Sequence, residues 1–247
     1  MPYSTCTVAA ILSDSTAYLI ATGREHMIQL YNVCMSYQKD ATALTDFSLK
    51  IPKGDFLYLT GPSGAGKSTL LKLLYGAEKP TRGQILVNGM NITRMRSWRI
   101  PMLRRKLGIV FQDFKLISTR TLFENVAFPL EVQGKKRYEI SNKVYQALKH
   151  VGLQGKLHRF PLQLSGGEQQ RAAIARALVT DPLILIADEP TGNLDDDVAC
   201  EIMELFKGAN ARGTTVLLAT HDREIIRRYP RRIVSLDKGR LVDDQMP

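Results

Sequence analysis

The residues with the clearest chemical meaning form a glycine-rich segment, GPSGAGKS, which runs from Gly61 to Ser68. It follows the apolar run FLYLT and precedes a helix-like run, as the G-x-x-x-x-G-K-[ST] phosphate-loop pattern requires. Glycines let the backbone curl so that successive N–H groups point at phosphate oxygens, and the helix N-terminus adds partial positive charge. The pattern predicts a nucleotide site, with Lys67 on the β- and γ-phosphates and the Ser68 hydroxyl on Mg²⁺. The predicted nucleotide contacts are Gly61, Pro62, Ser63, Gly64, Ala65, Gly66, Lys67, Ser68 and Thr69.

A pair of carboxylates after the apolar run LILIAD supplies the second part of the predicted site. The run ends in Asp188, at the sheet edge where nucleotides bind in such folds, and this carboxylate is predicted to hold the metal. The Glu189 side chain points another way, because it is one residue further on, and is predicted to polarise an attacking water. Taken alone, an Asp-Glu pair would be a solvated strand end; the phosphate loop upstream favours the metal.

Gln112, His221 and Tyr37 are candidates whose interpretation depends on the other motifs. Gln112 closes the strand-like run GIVFQ, and its amide could ligate Mg²⁺ or the water; in isolation it is an ordinary polar residue at a strand end. His221 follows TVLLAT and could hydrogen-bond the γ-phosphate or the water, although a lone histidine there more often packs within the fold. Tyr37 could stack on adenine, or it could be a half-buried core residue.

A second serine–glycine segment, LSGGEQQ from Leu164 to Gln170, raises the question of what a second phosphate cradle would hold. It precedes a helix that is predicted over Glu168 to Leu178. Ser165, Gly166 and Gly167 can present a hydroxyl and backbone N–H groups at the helix N-terminus, which suits an anion. The competing interpretation is that Ser165 only caps the helix, which explains the serine but not the glycine pair.

The order of these motifs resembles that of the ATP-binding-cassette (ABC) ATPases. The motifs come in this order along the chain: GPSGAGKS, Gln112, LSGGE, LILIADE, the GNLD of Gly192 to Asp195, and His221. The resemblance covers Met27 to about Asp243. It implies an α/β fold: a P-loop NTPase (RecA-like) core with an antiparallel β subdomain and an inserted helical ABC-signature subdomain. It also implies ATP, Mg²⁺, ATP hydrolysis and a homodimer in which each ATP lies between the phosphate loop of one copy and the LSGGE of the other. The residues that would reach ATP from the second copy are Ser165, Gly166, Gly167, Glu168 and Asp195.

A finer resemblance is to the FtsE family of cell-division ATP-binding proteins. It rests on FQDFKLISTRTLFENVAFPL, from Phe111 to Leu130, together with GAGKSTLLKLLYG and FPLQLSGGEQQR. It implies a polytopic membrane partner resembling FtsX, a location at the cytoplasmic face of the inner membrane, and control of cell-wall hydrolysis. The partner would dock near Phe114–Leu130, whose apolar residues either form a groove or fill the core of the helical insert. The candidate groove residues are Phe114, Leu116, Leu122, Phe123, Val126 and Phe128.

Two other functions share part of this pattern. An ATPase subunit of a lipoprotein-releasing or macrolide-type exporter would carry most of the same motifs, and only the docking region and the partner distinguish it. A DNA-repair ABC ATPase would suit the basic charge, but such proteins separate their two halves with a long coiled coil or zinc modules. The spacing from Gln112 to Ser165 leaves no room for one, and no heptad run occurs, so we expect no specific nucleic-acid partner.

The overall charge and cysteine usage restrict the setting of the 247-residue chain. A formal net charge of +10 favours an anionic partner such as a nucleotide, nucleic acid or a membrane surface, although solvated Lys and Arg explain it equally well. Basic residues cluster at 94–106 and again at 223–232. The three scattered cysteines have neither disulfide nor metal-ligand spacing, which predicts a reducing cytoplasm. No apolar run is long enough to cross a bilayer.

Alternating strand-like and helix-like segments predict an α/β core, which is interrupted by a mostly helical insert over about residues 113–181. Strands are predicted at 28–33, 47–51, 56–60, 84–89 and 108–112, and at LILIAD, TVLLAT and RIVSL. Residues 1–26 lack the regular pattern of the rest of the chain, and we interpret them as a loosely attached or disordered extension, or as a start assigned too early. The ATPase domain is therefore predicted over residues 27–247.

Overall fold

The computed structural model describes residues 25–38, 41–192 and 194–246. Nearly all of the predicted extension (residues 1–24), and Asn193 of the GNLD motif, lie outside the described residues. In chain order the strands are β1 (His26–Gln38), β2 (Ala41–Pro52), β3 (Phe56–Thr60), β4 (Arg82–Val87), β5 (Met90–Asn91), β6 (Leu107–Val110), β7 (Ile184–Asp188), β8 (Thr215–Ala219), β9 (Arg232–Asp237) and β10 (Arg240–Gln245). The helices are α1 (Lys67–Leu74), α2 (Ile100–Arg104), α3 (Leu122–Val132), α4 (Arg137–His150), α5 (Gly166–Leu178), α6 (Asp196–Ala211) and α7 (Arg223–Arg228).

Six strands form the core sheet in the order β10-β9-β3-β8-β7-β6. All neighbours in it pair in parallel except β9 and β10. Both faces of the sheet are buried, because Leu57 and Leu59 of β3 join one apolar cluster while Phe56 and Tyr58 join another. A strand buried on both faces is a continuous apolar run rather than an alternating one. The strands predicted from FLYLT, LILIAD, TVLLAT and RIVSL are confirmed to within one residue.

A second, antiparallel sheet has the order β2-β1-β4-β5. The strands predicted at 28–33 and 47–51 are too short, since β1 and β2 pair from His26 opposite Pro52 to Gln38 opposite Ala41. The added pairs include polar residues such as Ser36 and Thr42, because ladder hydrogen bonds need only the backbone. The first strand therefore begins at His26, within the predicted extension and one residue before Met27.

The helical insert has an apolar core of its own, built by α3, α4 and one side of α5. Leu122 and Val126 lie in this core with 1% and 0% of their surface exposed, so for these two residues the core interpretation is correct and the groove interpretation is wrong. Asn125 is buried beside them and organises the preceding turn: its Oδ1 accepts from the Ile117 N–H at 2.7 Å. The Asn125 amide nitrogen donates to three carbonyl oxygens of the same turn.

The two sheets are joined at the phosphate loop by backbone hydrogen bonds. The turn between β9 and β10 provides Gly239, whose N–H donates to the Ala65 carbonyl at 3.0 Å. The Gly239 carbonyl in turn accepts from the N–H of Thr45 on β2 at 2.9 Å. A Cβ on Gly239 would lie 2.6 Å from the Ala43 carbonyl oxygen, so only glycine permits this approach. The loop is therefore fixed to both sheets at once.

Arg232 of β9 makes a second tie between the sheets, with 5% of its surface exposed. Its guanidinium donates to both carboxylate oxygens of Asp244, to Asp55 and to the Lys50 carbonyl. Burial opposes the charge, but the hydrogen bonds to Asp244 and Asp55 raise the pKa of Arg232 overall. The antiparallel sheet, through Lys50, and the strand β10 thus share one buried cation.

None of the helices in the described part of the chain combines the length and the apolar composition that crossing a bilayer would require.

Candidate active site

The phosphate-loop segment connects β3 to α1 at the carboxyl edge of the parallel sheet. Gly66 is the N-cap of α1 in a left-handed conformation, φ 106°, and no side chain in the described part of the chain caps this helix. By contrast, Thr121 caps α3 and Ser165 caps α5 with side-chain hydrogen bonds. The first N–H groups of a helix have no intrahelical partner, so those of α1 remain available to an anion.

Lys67 reaches back across the loop that precedes it. Its ammonium donates to the Gly61 carbonyl at 2.7 Å and to the Pro62 carbonyl at 3.0 Å. An ammonium has three donors, so one N–H remains for a phosphate oxygen. The lysine thus holds the curl of the loop and also supplies a charge at its centre.

A cavity of about 260 Å³ beside the loop brings together the predicted metal ligands. Ser68, Gln112 and Asp188 all line it. Burial raises the pKa of Asp188, and the Ser68 hydroxyl opposes this by hydrogen-bonding the carboxylate. A hydroxyl, an amide oxygen and a poorly solvated carboxylate form the hard oxygen set that Mg²⁺ takes, so these residues fit that ion.

Gln112 does not close a strand as predicted. The edge strand β6 ends at Val110, and Gln112 lies two residues later in a turn. The strand ends there because its pairing with β7 stops at Val110 opposite Ala187. The exposed turn nevertheless brings Gln112 to the same cavity as Asp188.

Glu189 and His221 form a hydrogen-bonded pair. The Oε1 atom of Glu189 lies 2.9 Å from Nδ1 of His221. The glutamate side chain is 12% exposed and the histidine side chain 72% exposed, so the histidine does not pack in the core. Glu189 has a positive φ of 48°, which is strained for this residue type and is more common at functional sites than elsewhere. Its Oε2 is buried without a hydrogen-bond partner among the described residues.

Tyr37 is near the phosphate loop but not in the core. The residue is 47% exposed and belongs to none of the apolar clusters, so the core interpretation is wrong. Its hydroxyl lies 3.4 Å from Oγ1 of Thr69 on α1. The exposed ring beside the first turn of α1 is available for stacking.

The LSGGE segment begins α5 with a capping box. The Ser165 hydroxyl accepts from the Glu168 N–H at 3.3 Å, and the Glu168 carboxylate accepts from the Ser165 N–H at 3.0 Å. The cap interpretation is therefore correct for Ser165, yet it leaves Gly166 unexplained, because a Cβ there would meet no atom of the described residues within 4 Å. Asp195 is exposed at the N-cap of α6, and its side chain makes no capping bond to the described residues. Within the described residues, no hydrogen bond or ion pair joins LSGGE to the phosphate loop of the same chain.

Comparison with known proteins gives a family that is consistent with the phosphate loop and the LSGGE segment. The sequence profile of the family described as ABC transporter matches residues 44–192. The chain belongs to this family. The cell division ATP-binding protein FtsE of Bacillus subtilis is 48% identical over 219 residues, 89% of this chain and 96% of that protein. The FtsE protein of Mycobacterium tuberculosis is 50% identical over 220 residues, with the same coverage of 89% and 96%.

A solved structure gives the same result for the fold. The ATP-binding cassette MJ0796, a dimer in a post-hydrolysis state bound to ADP and Pi, superimposes with a TM-score of 0.83 at 36% identity. The match covers 89% of this chain and 98% of that one. The predicted fold class is therefore confirmed, and the chain is an ABC ATPase.

Two residues of helix α5 that were missed in the sequence connect this ABC ATPase site to its surroundings. Gln170 is 1% exposed, and its Nε2 donates at 2.7 Å to the carbonyl of Pro190, directly after Glu189. Arg176 donates to the carbonyls of Lys115 at 2.5 Å and Phe114 at 2.6 Å, in the segment after Gln112. The sequence did contain a signal for Gln170. It is a polar residue that lies, by helical spacing, on the same apolar face as Ala173, Ile174 and Ala177.

An apolar groove of about 540 Å³ lies between α2, β6 and α3, close to the predicted docking segment. Phe128 is the one predicted groove residue that lines it, and it is 38% exposed. Leu116 and Phe123 pack against the core of the helical insert instead. Residues that line the groove include Arg104, Arg105, Ile117, Phe128, Pro129 and Val132.

The packing around Gly61 generates a prediction about the phosphate loop. Gly61 has φ +140°, and a Cβ there would lie 2.2 Å from the Leu236 carbonyl oxygen. Gly64 has φ +76° with nothing within 4 Å. We expect Gly61→Ala to lower the free energy of unfolding by about 3 kcal/mol and to abolish ATP binding, whereas Gly64→Ala should cost only the backbone strain, about 1 kcal/mol. Urea unfolding and nucleotide titration measure both; equal losses in the two variants would contradict the steric argument.

Proposed function

We propose that this ABC ATPase is the ATP-hydrolysing subunit of an FtsEX-type complex in bacterial cell division, at the cytoplasmic face of the inner membrane. The support is an identity of 48–50% to proteins named FtsE, over 89% of the chain. ATP-driven closure of a homodimer would act through a polytopic membrane subunit resembling FtsX to control cell-wall hydrolysis. The geometric observation that carries the ATPase part is the buried Glu189 carboxylate, bonded to His221 and adjacent in sequence to Asp188.

The chemistry follows from the positions of these side chains. The helix α1 N-terminus and Lys67 would bind the phosphates, and Tyr37 would stack on the adenine. Asp188, Ser68 and Gln112 would hold Mg²⁺, which when bound supplies positive charge to the phosphate oxygens.

Glu189 would accept the proton of the attacking water through its carboxylate, one oxygen of which, Oε2, has no hydrogen-bond partner within the described residues. His221 keeps the other oxygen, Oε1, at a fixed distance and so fixes the orientation of the carboxylate.

The LSGGE segment would complete the site of a second copy. Ser165 and Gly166 are exposed at the N-terminus of α5, where N–H groups suit an anion. None of the described residues of its own chain gives Gly166 a steric reason to be glycine. Close approach of a partner's γ-phosphate would supply that reason, with Gly167, Glu168 and Asp195 at the same seam. The ligand then stabilises the closed dimer because both copies contact it only in that state.

The apolar groove would receive a helix of the membrane subunit. Phe128 and Val132 expose apolar surface there, 38% and 47% of each residue. The groove is connected to helix α5, because Arg176 of this helix lines the groove and also donates hydrogen bonds to the carbonyls of Phe114 and Lys115. Movement of α5 on closure would therefore change the walls of the groove.

Replacing Glu189 tests its proposed role as the base. We expect Glu189→Gln to lower the ATP hydrolysis rate by about 10²–10⁴-fold, because a general base contributes that much. ATP binding should persist, and dimers should accumulate in ATP. Steady-state phosphate release and size-exclusion chromatography measure the two effects. Glu224→Gln is the matched control, since it makes the same chemical change in an exposed ion pair. Normal turnover by Glu189→Gln would overturn the assignment.

A mixing experiment tests the shared site. Lys67→Ala and Ser165→Ala should each be inactive alone, but mixed dimers carry one intact composite site and should recover part of the ATPase activity. Loss of the Ser165 cap alone costs about 1 kcal/mol of stability. Thr121→Ala controls for this cost, because it removes the equivalent capping box from α3 and should stay active. Inactivity despite proven exchange of subunits would argue against pairing in trans.

Substitutions in the groove test the membrane partner. We expect Phe128→Ser with Val132→Ser to weaken the membrane subunit's affinity by roughly 30- to 1,000-fold, the effect of losing about 2–4 kcal/mol of apolar anchoring. The measurement is co-purification from membranes, with identification of the polytopic subunit. Tyr138→Ser with Tyr145→Ser is the control, because both are exposed apolar residues on α4 and neither lines the groove. Unchanged recovery of the partner, or recovery of an exporter subunit, would contradict the proposal.

A further inference from the structure

The segment from Arg94 to Lys106, here called the Trp98 patch, exposes unusually large apolar side chains. Trp98 is 68% exposed and Met102 is 52% exposed. Trp98 lies in a single 3₁₀ turn, Ser97–Arg99, which continues directly into α2. Residues four apart on continuous helical structure lie on one face, so Trp98 and Met102 form one apolar ridge.

Positive charge surrounds this ridge. No Asp or Glu occurs from Asn91 to Gln112, and none of the six cations in the patch forms an ion pair with any described residue. Arg99 stacks over the Trp98 ring, 5.6 Å from its centroid. The six cations, all exposed, are Arg94, Arg96, Arg99, Arg104, Arg105 and Lys106.

The patch is anchored, so its exposure is a property of the fold. Leu103 of α2 is fully buried in the main apolar cluster. Ile100 packs so closely on the turn after α1 that a Cβ on Gly76 would lie 2.9 Å from its side chain. Arg104 donates to the Tyr75 and Gly76 carbonyls at 3.0 and 3.2 Å. The buried side of α2 thus holds Trp98 and Met102 outward.

We propose that the Trp98 patch binds the headgroup layer of an anionic lipid membrane directly. Tryptophan is favoured at the membrane–water interface because its ring is apolar and its N–H is polar. Each basic residue near an anionic surface contributes about fivefold in affinity, and one apolar ridge adds a second, independent signal. The patch has both signals, the exposed apolar ridge and the exposed cations beside it in the chain.

The Trp98 patch lies next to the apolar groove, which is consistent with a membrane as its partner. Pro101, Arg104 and Arg105 also line the apolar groove, so the patch and the groove form one continuous face. The orientation of that face toward the membrane rests on the proposed docking function, whereas the affinity for lipid rests only on the patch. A single aromatic residue does not form the repeated stacking platform of single-strand nucleic-acid sites, which favours the membrane over nucleic acid.

The chain contains one tryptophan, so its fluorescence reports on this patch alone. The full chain, without any partner, is titrated with vesicles of pure phosphatidylglycerol and with vesicles of pure phosphatidylcholine. We expect a blue shift and quenching by brominated acyl chains only with phosphatidylglycerol, weakened by salt. No shift with phosphatidylglycerol, or an equal shift with duplex DNA, would overturn the proposal.

Charge variants distinguish lipid binding by the Trp98 patch from attraction due to the net positive charge of the chain. The first triple variant carries Arg94→Gln, Arg96→Gln and Arg99→Gln. Its affinity for phosphatidylglycerol vesicles, measured by sedimentation, should fall about a hundredfold. Arg223→Gln, Arg227→Gln and Arg228→Gln remove the same charge elsewhere and should lower it by less than about fivefold. An equal loss in both triple variants would overturn the proposal, provided that both hydrolyse ATP normally. The vesicle experiments contain no membrane protein, so a negative result in them does not bear on the proposed docking groove. Loss of the membrane subunit in the groove variants likewise does not bear on lipid binding by the Trp98 patch.

Discussion

The approach of three backbone segments at the phosphate loop is the constraint on which the rest of this structure depends. Gly239 joins the loop to β2 by two hydrogen bonds, through Ala65 and Thr45. Gly61 lies so close to the Leu236 carbonyl that only a hydrogen atom fits between them. The loop is therefore positioned by two sheets rather than by its own few residues. This preorganisation lets N–H groups face phosphate without paying the entropy of ordering the loop on each binding event.

Helix α5 holds segments on two sides of the site and begins with the LSGGE segment. Its N-terminus presents Ser165, its second turn holds the carbonyl beside Glu189 through Gln170, and its last turns hold the carbonyls of Phe114 and Lys115 through Arg176. The contacts of Gln170 and Arg176 are hydrogen bonds from one rigid element, the helix that Ser165 begins. A shift of the helix must change the LSGGE segment, the glutamate turn and the groove wall together.

The sequence predicted what depends on local pattern. Apolar runs located β3, β7 and β8, and glycine spacing located the phosphate loop, because each is determined within a few residues. Non-local packing defeated the same reasoning: nothing local distinguishes Leu122, which fills a core, from Phe128, which lines a groove. Gln170 was missed because its function is to satisfy a carbonyl on another segment. The charged cluster at 94–106 was visible, but which of its residues face outward depends on how Ile100 and Leu103 pack.

The order of strands in the core sheet has a consequence for synthesis on the ribosome. The central strand β3 is made early, yet its two neighbours, β8 and β9, are both encoded after residue 214. The antiparallel sheet, in contrast, closes within residues 26–91 and can form first. Until translation is nearly complete, β3 remains an apolar strand with two unpaired edges, the kind of segment that aggregates or binds chaperones. The slow step in producing this ATPase is therefore expected to be the late, long-range insertion of β3 between strands more than 150 residues away.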